Sequence, residues 1–232
     1  MDEESKNLWN CYMKKKTGKR HQIRKMLCQD RVAYKQSGNR QSIALVDGVG
    51  DNDINILAGE KIADAINDFL LNEFDEIMKE KEENVTYTLL IKMQRIIEKL
   101  MSEYNFPKEQ FSSTILGVCI DLEKELYCAV HLGDGIILFR NKEIKILSYP
   151  TNGLFSNQTV LSTSETAINN IKLYRGELEN TREIILISDG VYNFPLYKNQ
   201  WNEFIKRTKC SKEEFAGKED DQSVILLSRE DA

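Results

Sequence analysis

Two long amphipathic helices separate two groups of strand-like segments in this sequence. The first is GEKIADAINDFLLNEF (residues 59–74) and the second is VTYTLLIKMQRIIEKLMSEY (residues 85–104). Both repeat apolar residues every three or four positions, the spacing of a helix with one buried face. Strand-like runs before and after them, with few alternating crossovers, predict an α+β fold with largely antiparallel sheets rather than a parallel doubly wound fold.

The predicted strands are short apolar runs bounded by turn residues. They cover residues 31–35, 42–48, 112–121, 125–135, 136–141, 143–148, 182–188 and 223–228. The four runs that follow the second helix are joined by tight turns, which is typical of an antiparallel meander. The stretch from 149 to 180 is predicted to be less regular.

The composition indicates one globular domain over residues 1–232. The chain has only three prolines, no repeat and no linker-like segment, and 41% of its residues are apolar. Its uncharged apolar runs are far shorter than the roughly 20 residues that a membrane helix needs. The net charge of −5 argues against nucleic acid as the main partner, because phosphate backbones attract basic surfaces. The basic run Lys14–Arg20 is predicted to be a solvated edge strand or turn.

The cysteines and the first residues indicate a cytoplasmic protein. Five scattered cysteines form no CxxC pair, which argues against a disulfide framework and against a thiolate zinc site. The opening MDEESKNLWN is acidic and contains no apolar signal core, so secretion is not expected.

Acidic residues recur at the ends of the predicted strands. Asp47, Asp134 and Asp189 each stand directly before a glycine at the end of an apolar run, and the pair Asp220–Asp221 directly precedes another run. Any single Asp-Gly pair is more often a turn than a ligand. The set as a whole favours a common site, where carboxylates repel one another unless a cation neutralises them. Oxygen ligands alone select Mg²⁺ or Mn²⁺ over zinc.

Several other kinds of site are excluded by the same sequence. The DNDIN segment lacks the glycine and glutamate spacing of an EF-hand, so Asp51 and Asp53 are predicted to be solvent-facing turn residues. The chain contains no P-loop and no nucleophile-elbow motif, which argues against a nucleotide-binding P-loop enzyme and a serine hydrolase. His131 lies within an apolar run and is predicted to be a buried structural histidine.

Six short motifs in order resemble the protein phosphatase 2C family of metal-dependent serine/threonine phosphatases. They are CQD, ALVDGVG, SSTILGVCI, VHLGDG, ILISDGV and DDQSVILL, and together they span nearly the whole chain. A glycine and a histidine before CQD, Gly18 and His21, resemble the compact bacterial branch in particular. The resemblance implies a four-layer α-β-β-α sandwich, in which two mainly antiparallel sheets are flanked by helices.

The resemblance also implies a set of metal ligands. Asp47 should bridge two Mn²⁺ or Mg²⁺ ions, and the Gly48 carbonyl should bind one of them. Asp189 and Asp220 should complete the ligands of the first ion, with Asp221 as the alternative if the register shifts by one. Two further acids follow from the same resemblance. Asp30 would lie near the second ion and act through bound water, and Asp134 with Asp189 would form a third-metal site. In such a site a metal-activated water, rather than a side chain, attacks phosphorus.

The sequence departs from the family pattern at several places. The position that usually supplies an arginine to grip substrate phosphate is Lys25, with Arg24 beside it, so either residue is a candidate. Val49 replaces the histidine of the animal enzymes, which excludes a histidine general acid there. The family's GDSR is GDGI here, and the segments between Gly135 and Asp189 and between Asp189 and Asp220 are short, which predicts a reduced substrate-facing flap.

These observations favour an enzyme that hydrolyses phosphoserine or phosphothreonine in proteins, with a phosphorylated protein as substrate and a cognate serine/threonine kinase as a further expected partner. A non-catalytic pseudophosphatase, acting as a binding or regulatory module on the same fold, is the alternative. A structural domain whose acids only form turns is a third hypothesis.

Overall fold

The computed structural model describes residues 9–49, 54–150, 159–192, 198–210 and 218–229. Its strands are β1 (Trp9–Lys16), β2 (Arg31–Ser37), β3 (Arg40–Val46), β4 (Ile115–Asp121), β5 (Leu126–Leu132), β6 (Ile136–Arg140), β7 (Ile144–Ser148), β8 (Lys172–Glu177), β9 (Glu183–Ile187) and β10 (Gln222–Arg229). Its α-helices are α1 (Lys19–Ile23), α2 (Ile54–Asn72), α3 (Phe74–Ile77), α4 (Glu82–Tyr104), α5 (Ala167–Asn170), α6 (Asp189–Tyr192) and α7 (Lys198–Lys209), with a 3-10 helix at Lys108–Phe111. The predicted turn residues Asp51 and Asp53 lie outside the described ranges.

The strands form two five-stranded antiparallel sheets. The first sheet has the order β1-β10-β9-β6-β7 and the second has the order β2-β3-β4-β5-β8. Neighbouring strands within each sheet run antiparallel throughout. The chain passes from the second sheet to the first between β5 and β6, and β9 lies beside β10 in the first sheet. The acidic turns described below lie at the ends of these strands.

The layers follow from the alternation of side chains along central strands. In β3, Ile43 and Leu45 pack between the two sheets, whereas Ala44 and Val46 pack against α2 and α4 on the other face of the second sheet. Both faces of such a strand are buried, so its sequence reads as a continuous apolar run. A third apolar cluster, which includes Ile205 of α7, covers the outer face of the first sheet. The predicted four-layer α-β-β-α sandwich is confirmed.

The two long helices carry the expected buried stripe and begin and end for recognisable reasons. Glu82 and Glu83 occupy the first turn of α4, where negative charge favours the helix dipole. The helix ends at Asn105, whose left-handed backbone (φ 55°) lets its N–H bond to the carbonyl of Met101. A start at Ile54 places α2 earlier than the pattern predicted, since Asn55 and Ala58 are also buried.

The predicted four-stranded meander is wrong. β4 pairs with β5 and β6 pairs with β7, but the chain changes sheets between Leu132 and Ile136, so β5 and β6 are not partners. Both hairpins have the same local pattern, and the change of sheet depends on contacts with distant strands. The stretch predicted to be irregular contains strand β8, which pairs with β5.

The basic run predicted as an edge strand or turn begins as an edge strand. Lys14, Lys15 and Lys16 belong to β1 at the edge of the first sheet. Lys14 Nζ donates to the carbonyls of Arg207 and Cys210 at the end of α7, at 2.6 and 3.0 Å. Over the described part of the chain, no helix is long and apolar enough to cross a membrane.

Candidate active site

Four acids from separate strand ends line one open pocket of about 380 Å³. Asp47 follows β3, Asp134 lies in the turn between β5 and β6, Asp189 follows β9, and Asp220 precedes β10. The pocket is also lined by Arg20, His21, Arg24, Gly48, Val49, Thr114, Thr159 and Asp221. The structure therefore brings together residues that are up to 201 positions apart in the sequence, from 20 to 221.

Asp47 is held at the end of β3 by the start of the neighbouring strand. Its carbonyl accepts from Thr114 N at 2.9 Å, and its N–H donates to Thr114 Oγ1 at 3.2 Å. Gly48 then forms an antiparallel β-bridge with Ser113. The hydrogen bonds of this bridge are made by the flanking Asp47 carbonyl and Val49 N–H. The Gly48 carbonyl is not used there, so it can serve as an oxygen ligand beside the Asp47 carboxylate.

Asp134 lies where the chain leaves one sheet for the other. The preceding Gly133 has a φ of +110°, and a Cβ at this position would lie 2.6 Å from Thr114 Cβ. Both the backbone angle and the lack of space therefore require glycine. The buried His131 binds this turn through Nε2, 3.1 Å from the Gly133 carbonyl, and its Nδ1 is hydrogen-bonded to Ser148 Oγ. His131 is thus a structural histidine, as predicted, and it supports the turn that carries Asp134.

Asp189 and Asp220 are brought together because β9 and β10 are neighbours. Ser188 N donates to the Ser223 carbonyl at 3.0 Å, and Ser223 N donates to Ser188 Oγ at 2.9 Å. These bonds align the end of β9 with the start of β10, and the charge of Asp220 acts on the Asp189 carboxyl. The Asp189 carboxylate also accepts from Gly190 N at 2.6 Å.

Burial and mutual repulsion make ionisation of the carboxyl groups of Asp47 and Asp189 unfavourable. Burial, followed by the charges of Asp134 and Asp220, raises the pKa of Asp189 to about 7. Burial, followed by the charges of Asp30 and Asp189, raises the pKa of Asp47 well above its ordinary value. Such shifts mean that the ionised cluster is unfavourable without a compensating positive charge.

Asp30, the predicted acid near a second ion, is completely buried beneath the pocket. Burial raises its pKa to about 6. The Asp47 carboxyl and the hydroxyls of Ser188 and Ser223 lie nearby, but none of them completes a well-formed hydrogen bond, so both carboxylate oxygens of Asp30 lack a hydrogen-bond partner among the described residues. Buried polar atoms are rarely left in this state unless water or an ion satisfies them.

The donor set fits a hard divalent cation in chemical type. It consists of carboxylates and the Gly48 carbonyl, and Mg²⁺ in particular keeps several water ligands and binds through few protein groups. Within the described ranges, no three His, Cys, Asp or Glu side chains are already arranged so that they could hold an ion by themselves. Water molecules and the Gly48 carbonyl would therefore supply part of the coordination.

The two candidates for gripping phosphate differ in position. Arg24 lines the pocket, whereas Lys25 is exposed, has a left-handed backbone (φ 57°) and is not among the lining residues. A second guanidinium, that of Arg20, lines the pocket as well and was not predicted. Helical spacing could have indicated it, because residues four apart in a helix share a face.

The two acids of the Asp220–Asp221 pair have different environments. Asp220 is exposed to the pocket, whereas Asp221 is 3% exposed and its carboxylate accepts from two backbone N–H groups, those of Gly18 and Gln29. Of the two, Asp220 has the carboxylate that is open to the pocket.

Several solved structures share this architecture at low sequence identity. The serine/threonine phosphatase of S. agalactiae aligns with a TM-score of 0.66 at 15% identity, over 96% of this chain and all of that one (100%). RsbX in complex with magnesium aligns at 0.57 and 16% identity, over 99% of this chain and 98% of that one. A C. elegans sex determining protein aligns at 0.66 and 13% identity, over 98% of this chain and 66% of that one.

The comparison with family models is more specific. Curated protein sequences give no significant match. The family model described as protein phosphatase 2C matches residues 17–220, which is well over half of the 232 residues and includes every acid of the pocket except Asp221. The chain therefore belongs to the protein phosphatase 2C family.

Proposed function

We propose that this chain is a metal-dependent serine/threonine protein phosphatase that binds Mn²⁺ or Mg²⁺ in the acidic pocket. The observation that carries the proposal is the convergence of Asp47, Asp189 and Asp220 from three strand ends into one pocket, in which the carboxyl pKa values of Asp47 and Asp189 are raised. Evolved folds rarely gather repelling buried acids without a functional reason. In this proposal residues 1–232 form a single catalytic domain.

The acids and the Gly48 carbonyl would hold the cations. Asp47, Gly48, Asp189 and Asp220 all line the pocket, and Asp134 with Asp189 would form a third-metal site. Asp30 beneath them would orient ligand water through its two unpartnered oxygens. When bound, two such ions lower the pKa of a shared water and stabilise charge on phosphoryl oxygens.

The basic wall of the pocket would bind the substrate phosphate. Arg24 and Arg20 line the same pocket as the acids. A planar guanidinium can donate two parallel hydrogen bonds to phosphate oxygens, which orients the phosphorus atom as well as attracting it. Arg24 is therefore our candidate for the main contact, in place of Lys25.

The test is hydrolysis of an aryl phosphate and of phosphoserine and phosphothreonine peptides by the purified chain, with Mn²⁺, with Mg²⁺ or with a chelator. Asp47→Asn and Asp189→Asn would be compared with Asp121→Asn, a buried aspartate outside the pocket. We expect hydrolysis that requires metal, that the two pocket substitutions reduce by at least about 100-fold, and that Asp121→Asn preserves.

Metal-binding calorimetry separates the remaining readings. Metal binding without hydrolysis would contradict the enzyme and identify a pseudophosphatase. If the protein neither binds metal nor hydrolyses the substrates, the acids are only turn residues of a structural domain. The related structure of RsbX was solved in complex with magnesium, which supports including Mg²⁺ as well as Mn²⁺ in these measurements.

The same proposal covers the setting of the reaction. We expect a phosphorylated protein as the substrate, a cognate serine/threonine kinase as the opposing enzyme, and a cytoplasmic location. A structure related by fold, at 14% identity and a TM-score of 0.57, comes from a study of the bacterial stressosome, which supports looking for the substrate among regulatory proteins.

A further inference from the structure

Asp221 is the only acid of the described pocket lining whose two carboxylate oxygens both accept backbone N–H groups. Oδ1 accepts from Gly18 N at 2.7 Å and Oδ2 accepts from Gln29 N at 2.5 Å. Both donors belong to the segment 18–29, and they precede Asp221 by 203 and 192 positions in the chain. The carboxylate therefore joins two distant parts of the pocket wall.

A third contact reaches the same segment. His21 Nδ1 lies 3.0 Å from Asp221 Oδ2, although the two groups are not aligned for a straight hydrogen bond. The backbone adds two bonds beside it, from Lys19 N to the Lys218 carbonyl at 2.9 Å and from Arg20 N to the Glu219 carbonyl at 3.2 Å. All of these contacts fasten segment 18–29 to residues 218–221.

The two backbones are in direct contact at Gly18. A Cβ at this position would lie 2.4 Å from the carbonyl carbon of Asp220 and 2.7 Å from Asp221 N. No side chain larger than hydrogen fits between them, so only glycine allows segment 18–29 to pack this closely against Asp220 and Asp221.

No buried side chain anchors helix α1 to the rest of the fold. It has five residues, none of them buried, and no side-chain cap. An isolated helix of this length has no stability of its own, so its position depends on the contacts of its ends with the rest of the chain. Yet it carries Arg20, and Arg24 follows directly after it, both on the pocket wall.

We propose that Asp221 is a positioning residue that holds Arg20 and Arg24 over the acid cluster. This inference rests on the proposed phosphatase function and divides the Asp220–Asp221 pair into an acid that faces the metal site and an acid that orients the phosphate-binding segment. Asp221 acts through segment 18–29 and does not itself contact the reacting atoms.

The prediction is a split between substrate binding and metal binding. Asp221→Asn keeps one acceptor oxygen but turns an amide N–H₂ toward a backbone donor, and Asp221→Ala removes both acceptors. Loosening the guanidinium groups should raise KM for an aryl phosphate by about tenfold, with kcat within about threefold and the half-saturating Mn²⁺ concentration within about twofold of wild type.

Asp121→Asn is the matched control. Asp121 is equally buried, at 3%, accepts from the backbone N–H groups of Glu123 and Lys124, and pairs with the cation Arg40 away from the acid cluster. It should be destabilised in the same way as Asp221→Asn but should leave KM unchanged. An increase of KM in both variants would assign the effect to general loosening and overturn the proposal.

A second measurement does not depend on activity. Amide hydrogen exchange of the metal-free protein, followed by mass spectrometry, should show segment 18–29 exchanging at least about tenfold faster in Asp221→Ala, while the strands of the second sheet remain protected. Unchanged exchange in this segment would overturn the positioning role even if the wild type is an active phosphatase.

The two proposals fail in different ways. A wild type without metal-dependent hydrolysis contradicts the proposed function, and the exchange measurement still decides whether Asp221 holds segment 18–29. An active wild type in which Asp221→Asn raises the half-saturating Mn²⁺ concentration as much as Asp189→Asn does, with KM unchanged, makes Asp221 a metal ligand and overturns the inference.

Discussion

Replacing Asp189 by asparagine should stabilise the metal-free protein while removing its activity. The pKa of Asp189 is raised by burial and by neighbouring carboxylates, so the folded state holds a proton that the unfolded chain releases. The free energy of unfolding that the protonated Asp189 carboxyl contributes is therefore fully present below about pH 4 and is lost as the pH rises through 7. Asparagine is neutral at every pH and can keep the hydrogen bond from Gly190 N, which is 2.6 Å long in the wild type.

The size of the effect follows from the shift in pKa. The rise from 3.8 to about 7 is about three pKa units, or at most about 4 kcal/mol of free energy of unfolding at pH 8. Because Asp47 and Asp30 can take up a proton in its place, we expect about half of this, or about 2 kcal/mol. For a chain of this length that corresponds to a rise in Tm of about 4 to 8 °C.

The assay is thermal unfolding in a chelator at pH 4, 6 and 8. The Tm of Asp189→Asn should exceed that of wild type at pH 8, and the difference should shrink to almost nothing at pH 4. Saturating Mn²⁺ should reverse the order, because binding at 100 times Kd stabilises the wild type by about 2.7 kcal/mol. An equal or lower Tm of the variant at pH 8 in chelator would refute the reasoning that charge repulsion strains the pocket.

Glu183→Gln is the opposite control in the same assay. Burial alone would raise the pKa of Glu183, but hydrogen bonds from Arg140 and Lys209, at 2.6 and 3.1 Å, outweigh it and lower the pKa. The stability from this carboxylate is present above its ordinary pKa and is lost as the pH falls through the folded value. This substitution should therefore lower the Tm at pH 8, which shows that removing a buried charge does not stabilise the fold in general.

Three further predictions concern other residues. Arg24→Met should raise KM for an aryl phosphate by about tenfold and Lys25→Met by less than about twofold, because Arg24 lines the pocket and Lys25 does not; equal effects would contradict this. Burial lowers the pKa of His131 to about 4, so the unfolded chain takes up the proton first. In urea unfolding, wild type should thus lose about 3 kcal/mol of stability relative to a His131→Gln variant as the pH falls from 6.5 toward 4, and an equal pH dependence of the two proteins would contradict it. Gly18→Ala places a Cβ 2.4 Å from the Asp220 carbonyl carbon. It should lower the free energy of unfolding by about 2 kcal/mol and raise the Mn²⁺ requirement, and a variant with wild-type values would disprove the close contact.

The local pattern of the sequence was sufficient for the elements that depend on near neighbours. The stripes of α2 and α4 follow from a period of 3.6 residues, and the hairpin of β2 and β3 follows from two apolar runs around a Gly38–Asn39 turn. The strand-terminal positions of Asp47, Asp134 and Asp189 could be read in the same way, because an apolar run ends where the Asp-Gly pair begins. That these acids would meet was only a hypothesis at that point.

Edge strands were harder to find. β8 has one half-buried face, and its sequence KLYRGE alternates too weakly to distinguish it from a loop. Its position is determined by pairing with β5, from Leu126↔Glu177 to His131↔Lys172, and pairing partners about 40 to 50 residues apart leave no local signal.

The sequence alone determined which residues are candidates for the proposed metal site, because the types of side chain and their place at strand ends are local properties. Only the tertiary structure decided how those residues are used. The change of sheet at Gly133, the position of Arg24 rather than Lys25 on the pocket wall, and the binding of Asp221 to Gly18 and Gln29 all depend on contacts between segments far apart in the chain. Asp220 and Asp221 are adjacent and chemically identical, and the packing of segment 18–29 against them is what leaves one open to the pocket and buries the other.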